Sequence, residues 1–379
     1  MKIFRRAVLL CVTAFGVLAL ALSCLAIIAS IIFYSDRDPV TSTAPAAANS
    51  ETRRPLSAAE RQSISAEYPD YFSRGREQTY LTLAEWYQVY SYNEFGDFLA
   101  SGGRQTDFSF LQAIGSFWDT YFLSLRKSRN EEFNWQYNFV AWVIGINLTI
   151  EYGVKFAYEN TIGRLTQSLA GSNTEADRFI AKSWNGFAKT LYQTTWYHFP
   201  YFADLCGVWR EAPTFDRQFA RNAERKIAFS VSYLIKGLYG QFWLLTAEQK
   251  ENQTFSLVHT DNRASLVGNH MRILKELSGN RFLIETERYA GFKTALSKLL
   301  ESDVTFVEIM GHQTIALGYL SKGETEPFAA AEIIDKRELF YQPEGYKYRV
   351  TLDVRVDSLK QALRLIGVSG SKFEMVYDF

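Results

Sequence analysis

Apolar and polar residues follow three successive patterns along this chain, and each pattern predicts a different kind of structure. The first is a basic cluster, Lys2, Arg5 and Arg6, followed by an uncharged apolar run from Ala7 to Tyr34 that stops at Ser35-Asp36-Arg37-Asp38. As a helix that run is roughly 42 Å long, more than the ~30 Å hydrocarbon core requires. Residues 1–34 therefore read as a transmembrane signal anchor, with residues 7–34 in the membrane. Cleavage after the small residues Ala19-Leu20-Ala21 is the alternative, but it would leave the apolar stretch Leu22–Tyr34 at the new terminus. The basic start predicts a cytoplasmic N-terminus. The main body is then expected outside the cytoplasm, in the periplasm of a Gram-negative cell.

The second pattern is helical. Residues 35–66 come first, small and polar around Thr41-Ser42-Thr43-Ala44-Pro45, and read as a flexible tether. From 67 to 250 the apolar positions recur at helical spacing, as in Phe108, Leu111, Ile114, Trp118 and Phe122. Thr82-Leu83-Ala84-Glu85, Ser91-Tyr92-Asn93-Glu94 and Thr174-Glu175-Ala176-Asp177 have the form of helix-starting capping boxes. Two stretches, 139–150 and 227–245, are apolar enough to be compared with membrane spans. Glu151, Lys155 and Lys236 argue for core helices of a soluble domain, with a three-span membrane protein as the alternative.

This region also carries a degenerate internal repeat. Phe108, Phe110, Leu111, Ile114 and Trp118 match Phe199, Tyr201, Phe202, Leu205 and Trp209 in spacing, and Tyr152-x-x-Lys155-x-x-Tyr158 matches Tyr233-x-x-Lys236-x-x-Tyr239. The repeat predicts two helical units about a pseudo-twofold axis.

The third pattern, over 254–379, is that of strands with single helices between them. Met271–Leu277 and Arg281–Glu287 flank the turn Ser278-Gly279-Asn280, and strands at 304–309 and 314–320 flank Gly311-His312-Gln313. A hairpin of 338–341 with 346–356, a helix at 358–366 and a strand at 372–378 repeat the order. The doubled strand–helix–strand pattern predicts an α+β domain of ferredoxin-like type.

Composition adds three limits. A formal net charge of zero gives no field for nucleic acid. Of three cysteines, Cys11 and Cys24 sit in the anchor, so Cys206 has no partner for an intrachain disulfide outside it. An aromatic content of 16% predicts thick helix packing or an aromatic-lined cavity.

Two groups of residues are candidates for chemistry. Asn147, Glu151, Lys155 and Glu159 share one helix face. They form either a solvated ion-pair stripe or a polar seam lining a pocket with Tyr152 and Tyr158. Glu151 is expected to pair with Lys155, while Lys236, between Tyr233 and Tyr239, has no carboxylate four positions away and needs a counter-charge from elsewhere. Arg217, Arg221 and Arg225 make a basic stripe, either solvated or facing anionic lipid headgroups. No metal-ligand spacing, phosphate loop or nucleophile motif is present, and no cofactor is expected. These features fit a membrane-tethered, non-enzymatic envelope module that binds a partner protein or an apolar ligand. An envelope enzyme with its site near Glu151, Lys155 and Tyr158 is the second reading.

Overall fold

Ser57 opens the first described helix, α1 (Ala58–Glu67), with a reciprocal cap in which its hydroxyl accepts the Glu60 amide and the Glu60 carboxylate accepts the Ser57 amide. In the computed structural model the described residues are Ile27, Ile28, Ser30, Ile32 and 54–377, apart from 213–216, 247–252, 268–270, 289 and 324–330. Most of the expected anchor and the first part of the expected tether lie outside them. From residue 54 the tether reading is corrected. Leu56, Ile64 and Tyr71 are buried in the core of the C-terminal domain. The side chain of Glu308, fully enclosed there, accepts from Arg61 at 2.6 Å, Tyr71 Oη at 3.1 Å and the Leu56 amide at 3.2 Å.

Seven further helices follow: α2 (Arg76–Ala100), α3 (Phe110–Lys127), α4 (Trp135–Tyr158), α5 (Arg164–Ala170), α6 (Glu175–Leu191), α7 (Tyr201–Glu211) and α8 (Phe219–Thr246). A π-helical turn, Glu159–Gly163, joins α4 to α5. Thr174 caps α6 as its sequence indicates. Thr82 and Ser91 instead lie inside α2, because their hydroxyls meet Tyr137 at 2.8 Å and Tyr152 at 3.1 Å on other helices.

Helices α2–α3–α4 form one set in the chain and α6–α7–α8 a second. Helices α2 and α6 cross at Gly96, where a Cβ would stand 3.1 Å from the Asn185 backbone, so a larger residue would part them. Laid over each other at this crossing, Ser91-Tyr92-Asn93-Glu94-Phe95-Gly96 matches Ser183-Trp184-Asn185-Gly186-Phe187-Ala188. Ser91 donates to Tyr152 Oη at 3.1 Å and Ser183 donates to Tyr233 Oη at 2.9 Å, the same contact in each set.

The C-terminal domain is α+β with two antiparallel sheets. The first contains β1 (Gln253–His259), β2 (Met271–Leu277), β3 (Arg281–Glu287) and β4 (Thr305–Ile309) in the order β2-β3-β1-β4, with α9 (Ala290–Glu301) before β4. The second contains β5 (Thr314–Ser321), β6 (Ala331–Glu338), β7 (Tyr348–Arg355) and β8 (Lys372–Tyr377) in the order β6-β7-β5-β8, with α10 (Leu359–Val368) before β8. The unit is thus strand–strand–strand–helix–strand, made twice. This corrects the ferredoxin-like arrangement, in which one sheet would hold both helices' strands. The predicted turn Ser278-Gly279-Asn280 joins the paired residues Leu277 and Arg281, with positive φ at Gly279 and Asn280, 75° and 54°.

Helix α2 belongs to both domains. Tyr80, Leu83, Trp86 and Tyr90 pack on Ala316, Met375 and Tyr377 of the second sheet. Arg349 lies 3.9 Å from the Tyr90 ring and pairs with Glu94 at 2.6 Å and Glu374 at 2.7 Å. A fragment 254–379 therefore loses much of its cover. It should unfold at markedly lower urea than the same fragment joined to residues 54–72, in parallel melts followed by circular dichroism. Equal midpoints would show that α1 and Tyr71 add nothing to that core.

Candidate functional site

The repeated Tyr-x-x-Lys-x-x-Tyr segments place one lysine on α4 and one on α8, and both lysines reach the same ring. Lys155 Nζ lies 4.7 Å from the centre of Trp184 and Lys236 Nζ lies 4.6 Å from it. Each lysine also meets the phenylalanine of its own set, Lys155 at 6.0 Å from Phe95 and Lys236 at 4.9 Å from Phe187. Lys236 is further covered by Tyr92, at 5.1 Å. These are cation–π distances, which partly replace the water that a buried ammonium gives up. Tyr152 and Tyr233 close the floor, fully buried with their hydroxyls on Ser91 and Ser183.

The charge pairing differs from the expected one. Glu151 bonds across the gap to Lys236 at 2.9 Å and accepts from Tyr92 at 2.7 Å, not from Lys155 four residues on. Its side chain and that of Lys236 are 13% and 18% exposed, so the pair is sheltered but not sealed. Burial opposes the Glu151 charge, yet Lys236 and then Lys155 outweigh it and hold the carboxyl below its usual range. Lys155 has aromatic faces around it in place of a bonded carboxylate. Burial pulls its ammonium down to about 8; Glu151 and Glu159 oppose this, and Lys236 and Arg225 add to it.

The other candidates form a second cluster. Glu159, in the π-turn, holds Arg225 through both oxygens. Arg221 reaches Asp177 at 2.9 Å, the Gly163 carbonyl at 3.0 Å and Thr166 at 3.0 Å. Tyr158 donates to Glu224 at 2.5 Å. A Cβ at Gly163 would stand 2.4 Å from a Glu159 oxygen, so a larger residue would push this carboxylate against Arg225. Arg221 and Arg225 are thus core residues, 1% and 2% exposed, and the lipid-facing reading is corrected for both. Spacing marked their common face but not its direction. Arg217 is exposed. Tyr239 is exposed too and stacks on Trp196 at 5.1 Å, away from Lys236. Cys206 is exposed.

The outer faces of α4 and α8 are what the sequence reading missed. Trp135–Ala170 is long and apolar enough to cross a membrane, with 28% of its apolar window buried. The charged residues of α4, Glu151 and Lys155, point inward with Glu159 beyond them. The exposed positions are Trp135, Phe139, Val140, Val143, Val154 and Phe156, with Ala157 and the amides Gln136 and Asn147. On α8, Arg221, Glu224, Arg225, Lys226 and Lys236 are likewise turned in, while Ile227, Val231, Leu234, Ile235, Leu238, Phe242 and Leu245 are exposed. Ile235 is 63% exposed and Leu245 86%. These are not the covered core helices expected of a soluble domain. Ser30, fully buried, lies on the same helical domain, 2.9 Å from Tyr121 Oη and 3.1 Å from Trp142 Nε1.

Compared with known proteins, the chain matches no family model, no curated protein and no solved structure, so its own geometry must carry the functional argument.

Proposed function

We propose that this is a membrane-held, non-enzymatic binding module of the cell envelope, whose two internally duplicated helical units lie on the bilayer through the outer faces of α4 and α8. The carrying observation is the direction of the charges: both long helices turn every charged side chain inward and an uncharged apolar surface outward. Exposed apolar areas of this extent mark interaction surfaces. Their match to a bilayer is compositional, since Trp135 and Trp243 accompany aliphatic side chains and charge is missing.

The helices lie against the membrane and do not cross it. Crossing would take Glu151, Lys155 and Glu159 to membrane depth, where ionisable groups are rare even when turned into a bundle. Lying flat keeps them on the protein side. The burial of Ser30 against Tyr121 and Trp142 supports the same arrangement, because it sets that residue of the apolar run against α3 and α4. The enzyme reading gains no such support: Glu151 is engaged by Lys236 and Tyr92, and Tyr158 by Glu224.

Protein beginning at Ser35 tests this without the anchor. It should float with phosphatidylethanolamine–phosphatidylglycerol vesicles, and Val231→Glu with Ile235→Glu should release most of it. Equal flotation of both proteins, or none of either, would remove the proposal.

A further inference from the structure

We propose that the hollow between the start of α7 and the middle of α8 holds one alkyl chain of a membrane phospholipid, a site that rests on the bilayer seating proposed above. The cavity measures about 180 Å³. That resembles in size the ~150 Å³ engineered apolar cavities that stay dry and take up benzene. Its walls are Tyr197, Phe199, Tyr201 and Phe202 from one side and Gly237 and Gln241 of α8 from the other. No lining residue is charged, and the Tyr201 hydroxyl is already engaged, donating to the Trp196 carbonyl at 3.0 Å. A methylene chain suits such walls better than a polar ligand, which would give up its hydration for few partners.

One wall of the hollow depends on a glycine. Gly237 follows Lys236, whereas the matching position after Lys155 is Phe156. A Cβ at Gly237 would stand 3.0 Å from the Phe202 ring, so the bare backbone there lets that ring pack against α8 and wall the hollow. The mouth faces the proposed membrane side. Phe202 and Gln241 are exposed, and Gln241 lies three residues beyond Leu238 and four before Leu245 on the apolar stripe of α8. An alkyl chain can therefore enter from the leaflet without crossing water.

The test uses the full chain in nanodiscs of phosphatidylethanolamine and phosphatidylglycerol, ejected for native mass spectrometry. The wild type should retain one phospholipid more than Gly237→Leu, which fills the hollow, and one more than Ala203→Trp, which narrows its mouth from an exposed position. Should Gly237→Leu fail to fold by circular dichroism, the Ala203→Trp comparison decides. Equal lipid counts in wild type and folded variants would overturn the site. A spin label at Val143 reports seating separately. A label buried in lipid with equal counts removes only the alkyl site, whereas a label in water removes the bilayer reading itself.

Discussion

Replacing Arg225 by methionine should lower the stability of the helical domain by about 3–5 kcal/mol, the usual cost of stranding one member of a buried ion pair. Both oxygens of Glu159 are held by this guanidinium, and the two side chains are 3% and 2% exposed. Without it the carboxylate would keep its desolvation cost and lose its partner. The π-turn that presents Glu159 would also lose one of its contacts with α8, keeping that of Arg221 with the Gly163 carbonyl. Urea unfolding followed by tryptophan fluorescence measures the loss. The double variant Glu159→Met/Arg225→Met should recover most of it, because Glu159 is then gone and Asp177 and Glu224, which also meet Arg225, keep Arg221. A loss below about 1 kcal/mol for Arg225→Met would place this pair with weak surface bridges.

Lys155→Met should have the opposite sign. The Lys155 ammonium titrates near 8 in the folded protein, against 10.5 for the unperturbed group. Between those values the unfolded chain binds more protons than the folded one, so this group makes stability rise with pH across that window. Below about 8 both states are charged, and the folded state carries the full cost of an unpaired, desolvated ammonium. Removing it should therefore stabilise the protein at pH 7 by up to about 2–3 kcal/mol. The gap to wild type should close as pH approaches 10.5. Stability curves for the two proteins from pH 6 to 10.5 give the comparison. Parallel curves would show that Lys155 is solvated. Lys236→Met is the control of opposite sense, since it strands Glu151.

Much of this architecture can be read from the chain, and the failures have physical causes. The order of helices then α+β is carried by periodicity, and the repeated Tyr-x-x-Lys-x-x-Tyr spacing picks out two lysines that meet at Trp184. The match of Ser91-Tyr92-Asn93 to Ser183-Trp184-Asn185 was equally present, but reading Ser91 as a helix cap divided α2 and hid it. Pairing was misjudged because i,i+4 spacing sees only one helix, whereas Glu151 and Glu159 both bond to α8. The strand β1 was overlooked because it is buried along nearly its whole length and shows no alternation. The edge strand of the second sheet, β6, was overlooked because Ala331–Glu338 is mostly polar. Helix α1 was lost in the tether because Leu56 and Ile64 are too few to set a period. The outer apolar faces were misassigned for another reason: an apolar helix reads alike whether protein or lipid covers it.

Seating of the helical domain on the bilayer is tested most directly by spin labels placed one at a time along α8 and α4 of the full chain in nanodiscs, with Cys11, Cys24 and Cys206 replaced by serine. Labels at Ile227, Leu234, Phe242 and Val143 should all collide with oxygen and be shielded from an aqueous nickel chelate. All four should sit at one shallow depth, about 5–10 Å below the headgroups, while a label at the exposed Arg178 stays in water. Depths that run through the bilayer centre along α8 would show a spanning helix, and labels open to the nickel chelate at all four positions would contradict the account.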